Sequence, residues 1–423
     1  MDRVDHTVAR RPPFGANPTV GERGSTTRRK VLESALEVFA EVPYAEARVE
    51  QITERAGCSR PAFYQYFSSK DDVFWTLATE LGEQMVALAN QLEPVTPDED
   101  GLARITGWVG EFMDLHEAWA PVFTAFPEAT RGQRDTVART GPIADYSARR
   151  LLDAFGLART TPNQRLAASL MAVLIRCSFY ASLTPKELSS RPLVQGVARL
   201  FHRVLGEPVE GVNYKRGRTS GRRRVRIVEP VAPAPTDGLR ARGEKTRAKL
   251  LAAGAEVLPA RGYHDTRVDD LVEAAGVSHG TFYRYFPSKD DFFRALAEEA
   301  SGPMIELVER LDLDGDRDEL EAWLDDWFAA YEAHGGVIST WQDMRSSSEL
   351  AAFSAQVAAS MFTRLEKLLD QRDFGHPQVA ASMLMALLER GPYRVHTLGF
   401  STRDGEIAAS ATIIRRGFLG LDD

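Results

Sequence analysis

Two short stretches of this sequence gather side chains suited to the surface of a nucleic-acid duplex. Phe63-Tyr64-Gln65-Tyr66-Phe67 and Phe282-Tyr283-Arg284-Tyr285-Phe286 share one pattern. Phenylalanines four residues apart fall on one helical face, which predicts that they point to a core. Arg60, Pro61, Ala62, Tyr64, Gln65 and Tyr66 are then left on the outside. Tyrosine hydroxyls can donate to phosphates while their rings pack along the sugars, and polar neighbours can reach base edges. Each stretch is followed by the same run, Ser69-Lys70-Asp71-Asp72 or Ser288-Lys289-Asp290-Asp291. The serine suits a helix cap, the aspartates suit the helix dipole, and the lysine is expected to project toward the duplex backbone.

Several helices must position these residues. Val31, Leu32, Ala35, Val38 and Phe39 recur at helical spacing, as do Leu250, Leu251, Gly254, Val257 and Leu258. A second stripe (Val49, Ile52, Ala56; Val268, Leu271, Ala275) stops at Gly57 or Gly276, residues suited to a left-handed helix end. Ser59 or Ser278 then caps a short helix. Helix, glycine turn, serine cap and short helix describe a helix-turn-helix, whose second helix enters the major groove.

Everything above occurs twice. Gly24 to Phe74 matches Gly243 to Phe293 without a gap at an offset of 219 residues. The match continues more weakly, with Trp108, Phe112 and Phe126 opposite Trp323, Trp327 and Trp341, and Ala167-Ala168-Ser169 opposite Ala380-Ala381-Ser382. The expected organisation is an N-terminal arm (1–23), a first helix-turn-helix unit (24–75) and its helical region (76–206), a linker (207–242), a second helix-turn-helix unit (243–294) and its helical region (295–423). The linker combines Pro208, Pro230, Pro233 and Pro235 with seven basic residues between Lys215 and Arg226. It reads as a solvated tether or as an arm lying on phosphates.

With 423 residues, 43% hydrophobic and 26% charged, the chain is long enough for two or three globular units. A net charge of -8 excludes a surface that is basic throughout, so any nucleic-acid contact must be local. Cys58 and Cys177 stand far apart, without a disulfide or zinc pattern. Buried small hydrophobes are their commoner use, oxidant sensing the sharper one. The polar N-terminus (Met1 to Gly24) and the short apolar run Leu170 to Ile175 predict neither a signal peptide nor a membrane span, hence a cytoplasmic protein. No metal-ligand spacing, nucleophile elbow or glycine-rich phosphate loop occurs, which predicts a protein that is not an enzyme and needs no metal or cofactor.

The run Gly57-Cys58-Ser59-Arg60-Pro61-Ala62-Phe63-Tyr64-Gln65-Tyr66-Phe67-Ser68-Ser69-Lys70 resembles the signature of the TetR/AcrR family of bacterial transcriptional regulators. Gly276-Val277-Ser278-His279-Gly280-Thr281-Phe282-Tyr283-Arg284-Tyr285-Phe286-Pro287-Ser288-Lys289 resembles it more closely. The resemblance implies an all-α fold in which each copy carries a three-helix DNA-binding unit followed by a larger effector-binding and dimerisation region. It implies that Thr281, Tyr283, Tyr285 and Lys289 contact phosphates or adjacent bases of double-stranded operator DNA, while His279, Gly280 and Arg284 read sequence. The matching first-copy positions are Ala62, Tyr64, Tyr66 and Lys70, then Arg60, Pro61 and Gln65. Arg48, and Thr266 with Arg267, complete the candidate surface at the start of the second helix. Ala62 lacks the hydroxyl of Thr281, and Ala47 replaces the cap expected at Thr266.

Non-identical reading faces predict an asymmetric operator, because arginine prefers guanine and glutamine suits adenine. The resemblance also implies pairing through the last long helices, here Asn163 to Leu183 with Gln378 to Leu398 and Leu193 to Leu205 with Ile407 to Leu419. That makes the chain an intramolecular pseudo-dimer, open to further homo-dimerisation. Gly391-Pro392 is expected to kink or end the later helix. Trp108, Phe112, His116, Trp119 and Phe123, with Trp323, Trp327, Tyr331 and Trp341, read as ordinary core or as the lining of a pocket for a small, largely apolar effector. Repression is the expected sense of regulation, by family tendency.

Overall fold

The structure is a computed structural model describing residues 22–130, 135–183, 191–206, 241–339, 348–370, 372, 374 and 376–421. The basic linker, nearly all of the N-terminal arm and Trp341 lie outside the described residues. The first copy runs α1 (Glu22–Glu41), α2 (Val49–Ala56), α3 (Arg60–Tyr66), α4 (Lys70–Gln91), α5 (Glu99–Ala118), α6 (Ala120–Thr130), α7 (Thr136–Ala154), α8 (Thr161–Leu183) and α9 (Arg191–Leu205). The second runs α10 (Ala241–Asp265), α11 (Val268–Ala275), α12 (His279–Tyr285), α13 (Lys289–Arg310), α14 (Arg317–Ser339), α15 (Ser348–Leu369), α16 (Pro377–Pro392) and α17 (Arg403–Thr412). The fold is all-α, with no strand among the described residues.

Packing divides the chain differently from the repeat. One unit holds the residues up to Glu83 together with Trp119–Thr130, and the other holds Gln84–Ala118 and everything from Arg131 onward. In the first unit Val31, Leu32, Ala35, Ile52, Phe63, Phe67, Val73 and Phe74 are buried, as their periodicity requires. α6 belongs to this core: Val122 is buried, Phe126 packs against Phe74 and Trp75, and Glu128 accepts a hydrogen bond from the Ala45 amide at 2.7 Å.

In the second unit, Leu250, Leu271, Phe282, Phe286, Phe292 and Phe293 form the equivalent core, joined by Val337 of α14. α10 and α13 approach closely at Gly254, where a Cβ would stand 2.4 Å from Phe292 Cζ. The same unit contains a cluster of α8, α9, α16 and α17 that brings the two copies together. α8 packs on α16 and α17, and α9 packs on α16 and on the helical turns Ile413–Leu419 that continue α17. Gly196 of α9 faces Val379 and Met383, and Gly417 faces Leu200 and Val204. Ser169 Oγ donates to buried Glu406 at 2.5 Å, and Arg176 pairs with Glu389 at 2.5 Å.

The α-helical turns of α16 end at the Gly391-Pro392 step, as expected, but the chain stays helical. Pro392 keeps helical angles (φ -60, ψ -37), and the chain continues through wider π-type turns, Tyr393–Thr397, before stopping at Gly399 with φ 64. A π turn places its acceptor one residue further back, one way a helix accommodates a local disturbance of its hydrogen-bond ladder. Among the described residues no helix is long and apolar enough to cross a membrane, and no group of His, Cys, Asp and Glu could hold a metal ion.

Candidate nucleic-acid interface

Both helix-turn-helix motifs are built from the same local devices. α2 ends at Gly57 (φ 64, ψ 33) and α11 at Gly276 (φ 58, ψ 45), the left-handed conformation that glycine adopts without a Cβ penalty. Cys58 and Val277 then donate backward to Thr53 and Val272, each at 3.0 Å. Ser59 Oγ accepts from the Ala62 amide at 3.3 Å, and Ser278 Oγ from the Thr281 amide at 3.2 Å. These caps fix the start of α3 and α12, and burial of Phe63, Phe67, Phe282 and Phe286 fixes their rotation.

That rotation presents the tyrosines. Tyr64 is 57% exposed and Tyr283 53%, and with Leu421 they are the exposed large hydrophobic side chains among the described residues. Each ring is held edge-on to the preceding phenylalanine, at 5.3 and 5.4 Å between centroids. Arg60, Pro61, Gln65, His279, Gly280 and Arg284 are exposed around them. Ala62, Tyr66, Thr281 and Tyr285 are partly buried, and the Arg284 guanidinium lies over the Tyr285 ring. Arg48 and Arg267 are exposed and cap α2 and α11 through their amides, which donate to Gln51 and Asp270.

Three expectations are corrected. Thr266 does not cap α11: it is fully buried, and its Oγ1 donates to the Gly262 carbonyl at 2.6 Å. The cap position belongs to Arg267, so Ala47 costs the first copy no helix cap. Lys70 and Lys289 do not simply project outward. Lys289 Nζ donates to the Tyr263 and Thr266 carbonyls at 2.8 and 2.9 Å, Lys70 Nζ to the Tyr44 carbonyl at 2.5 Å, and each ammonium stands over a tyrosine ring. Burial pulls the Lys289 ammonium below the usual lysine range, against Asp290 and Asp265.

Sequence reasoning missed two pairs of partners. Tyr44 and Tyr263 donate to Asp71 and Asp290, completing a tyrosine, lysine and aspartate set that pins the start of α4 or α13 to the chain entering α2 or α11. Burial, then the Asp71 carboxylate, pushes the Tyr44 phenol up. Arg60 pairs with Glu50, and His279 Nε2 lies 2.8 Å from Asp269. In both copies the first residue of the exposed helix is thus held by an acid of the helix before it. The available signal was recurrence, since Tyr44 with Tyr263 and Glu50 with Asp269 obey the 219-residue offset.

The aromatic residues of the helical regions take mixed places. Trp108, Phe112, His116, Trp327 and Tyr331 are buried, while Trp323 is partly buried and stacks on Trp327 at 5.5 Å. The indole N–H groups of Trp108, Trp323 and Trp327 donate to the Leu88, Leu307 and Leu388 carbonyls. Burial lowers the His116 pKa to about 4. Trp119 and Phe123 are partly buried and belong to the first unit. Burial also raises the thiol pKa of Cys58 and of Cys177, which makes both less reactive.

An exposed short helix standing on a glycine-turned, serine-capped pair defines an all-α helix-turn-helix protein, made twice. The family model for bacterial regulatory proteins of the tetR family matches the chain at residues 31–75 and again at 250–296. The chain belongs to the TetR/AcrR family and consists of two tandem TetR-like domains. It is 34% identical over 73 residues to the uncharacterized HTH-type transcriptional regulator YdgC of Bacillus subtilis, covering 17% of this chain and 37% of that protein. It is 38% identical over 61 residues to the fatty acid metabolism regulator protein of the same species, covering 14% and 31%. The chain thus spans about a third of the length of these curated relatives. The crystal structure of a tetR-family transcriptional regulator from Streptomyces coelicolor aligns with a TM-score of 0.34 at 17% identity, covering 42% of this chain and 79% of that one.

Proposed function

We propose that this protein is a sequence-specific double-stranded DNA-binding transcriptional regulator, a repressor, that reads an asymmetric operator with two non-identical helix-turn-helix units and is modulated by a small, largely apolar ligand. The carrying observation is the pair of exposed tyrosine-bearing helices, Tyr64 on α3 and Tyr283 on α12, in matching local frames. Aromatic surface left in water is unfavourable, and packing the rings along the sugars of a duplex removes part of it from water. The faces around them differ, Arg60, Pro61 and Gln65 against His279, Gly280 and Arg284, so the two half-sites differ too.

The pseudo-dimer reading is supported by residues that meet their own counterparts. Arg176 and Glu389 each stand seven residues after the matched serines Ser169 and Ser382, and they form an ion pair at 2.5 Å. Contact between equivalent positions is what a twofold relation between copies produces. Two first copies paired through this surface would set Arg176 against Arg176, and two second copies Glu389 against Glu389. Like charges in a partly buried contact are unfavourable, so the pair favours one copy of each kind.

Selection of genomic fragments by the purified full chain tests the reading, with Tyr64→Ala and Tyr283→Ala run beside the wild type. The expected result is a two-part asymmetric site, each variant losing a different half. A palindromic site that survives Tyr64→Ala would overturn the two-unit reading, and no enriched site would overturn DNA recognition.

A further inference from the structure

Each exposed helix opens on a residue held by one acid, and the helix before it explains why that acid is available. Arg60 and His279 begin α3 and α12 directly after the serine caps. Their partners, Glu50 and Asp269, are the second residues of α2 and α11. An acid in a first turn ordinarily serves the cap or the helix dipole. Capping falls here to the next residue in each copy. Gln51 accepts from the Arg48 amide at 2.7 Å, Asp270 accepts from the Arg267 amide at 2.8 Å, and Asp270 also pairs with Arg261 at 2.8 Å. Glu50 is left to pair with Arg60, and Asp269 Oδ1 lies 2.8 Å from His279 Nε2. The arrangement recurs with different side chains, the longer Glu with Arg and the shorter Asp with His, at the same 219-residue offset.

The two contacts decide different things. Arginine offers only donors, so Glu50 occupies one terminal nitrogen of Arg60 and the remaining donors still match the O6 and N7 acceptors of guanine. Histidine is different, because in the neutral ring one nitrogen donates and the other accepts. A carboxylate only accepts, so Asp269 holds the proton of the neutral ring on Nε2 and leaves Nδ1 as an acceptor. In the major groove an acceptor matches the amino groups at adenine N6 and cytosine N4, while guanine N7 and O6 would set lone pair against lone pair. Residues at the start of a recognition helix are those that reach base edges. His279 and Asp269 are both exposed, which keeps the ring within reach of a duplex.

We infer that Asp269 is a positioning residue for sequence reading: it fixes the His279 tautomer so that the ring accepts a hydrogen bond from the amino group of an adenine or cytosine, whereas Arg60 in the first copy donates to a guanine. This rests on the DNA-reading part of the function proposed above and names the chemical groups that one residue of each copy reads. The test uses the full chain and its selected operator at about pH 8, above the ordinary imidazole range. His279→Ala should level the preference at one base pair, which marks the position. At that pair, removing the exocyclic amino group from the adenine or cytosine should weaken wild-type binding about fivefold, the low end of what a base-edge contact discriminates, while a 7-deaza purine should cost less than about twofold. Both losses are taken relative to His279→Ala, which removes changes in the duplex itself. Asp269→Ala should abolish most of the amino-group effect, and Asp269→Glu should keep part of it. Should Asp269→Ala not fold, Asp269→Asn is read in its place, because an amide can accept or donate and so fixes neither tautomer. A merely structural Asp269 would weaken binding to every operator alike and leave the amino-group effect intact. That result, a larger loss with the 7-deaza purine, or no pair levelled by His279→Ala overturns the inference while leaving the DNA reading in place. No operator enriched by the wild type overturns both.

Discussion

The two helix-turn-helix cores reach one geometry with different side chains. The first packs Ala35 and Val73, both buried, where the second has Gly254 and Phe292 at the matching positions. The larger ring at Phe292 occupies the space that a Cβ at residue 254 would need, so volume lost on one helix is regained on the other. Cores tolerate such exchanges when total volume is kept. The helical regions diverge further. Counting from the matched Trp108 and Trp323, the first copy buries His116 where the second buries Tyr331, and Arg176 meets Glu389 where a symmetric pair would carry one residue twice. Duplication kept the parts that set helix direction and relaxed those that only fill volume or carry charge.

The copies can be set against each other most sharply at the charge pair. Glu389→Arg should destabilise the chain by up to about 3 kcal/mol, because it sets like charges against each other in a partly buried contact. The exchange Arg176→Glu with Glu389→Arg should recover most of that loss, as measured by urea unfolding. Equal stability of single and double variants would mean that the pair does not order the copies.

The His116 and Tyr331 difference predicts where acid sensitivity resides. The folded state lowers the His116 pKa to about 4, so between there and about 6.5 the unfolded chain binds the extra proton. Its contribution, about 3 kcal/mol, is fully present above pH 6.5 and is lost as the pH falls toward 4. His116→Gln should flatten the urea midpoint between pH 7 and pH 4.5, while Tyr331→Phe should leave that slope unchanged.

Gly254→Ala should cost about 1 to 3 kcal/mol by overpacking against Phe292, and Phe292→Val should rescue it by restoring the first copy's combination. Thermal unfolding of the single and double variants reads this directly. The smallest effect is expected at the caps. Ser59→Ala and Ser278→Ala should each cost about 1 kcal/mol. Ser278 should be the larger, since its hydroxyl also lies 3.0 Å from Thr281 Oγ1, a partner that Ala62 cannot supply.

The reading faces were legible because every signal that builds them is local. Gly57 with Ser59, or Gly276 with Ser278, stops one helix and starts the next, and phenylalanines four apart set the rotation that exposes Tyr64 and Tyr283. Such signals act within a turn or two of chain, where composition and spacing carry the physics. The recurrence of the whole pattern at a constant offset likewise needed only the sequence.

Burial and partner choice did not follow. Thr266 turned into the core and Lys289 bent back to two carbonyls because the chain entering α11 offered a dry space and carbonyl acceptors within reach, a property of three segments together. α6 joined the first DNA-binding core through Val122 and Phe126, although its sequence lies far from α1 to α3. Arg176 found Glu389 across 213 residues while Arg390, adjacent in sequence, was left with a ring and an unmatched Nε. The sequence by itself determined where helices begin, end and repeat, because those depend on each residue's own backbone and nearest neighbours. The tertiary structure decided which charges are matched and which faces stay wet, because desolvation and pairing depend on groups that only folding brings together.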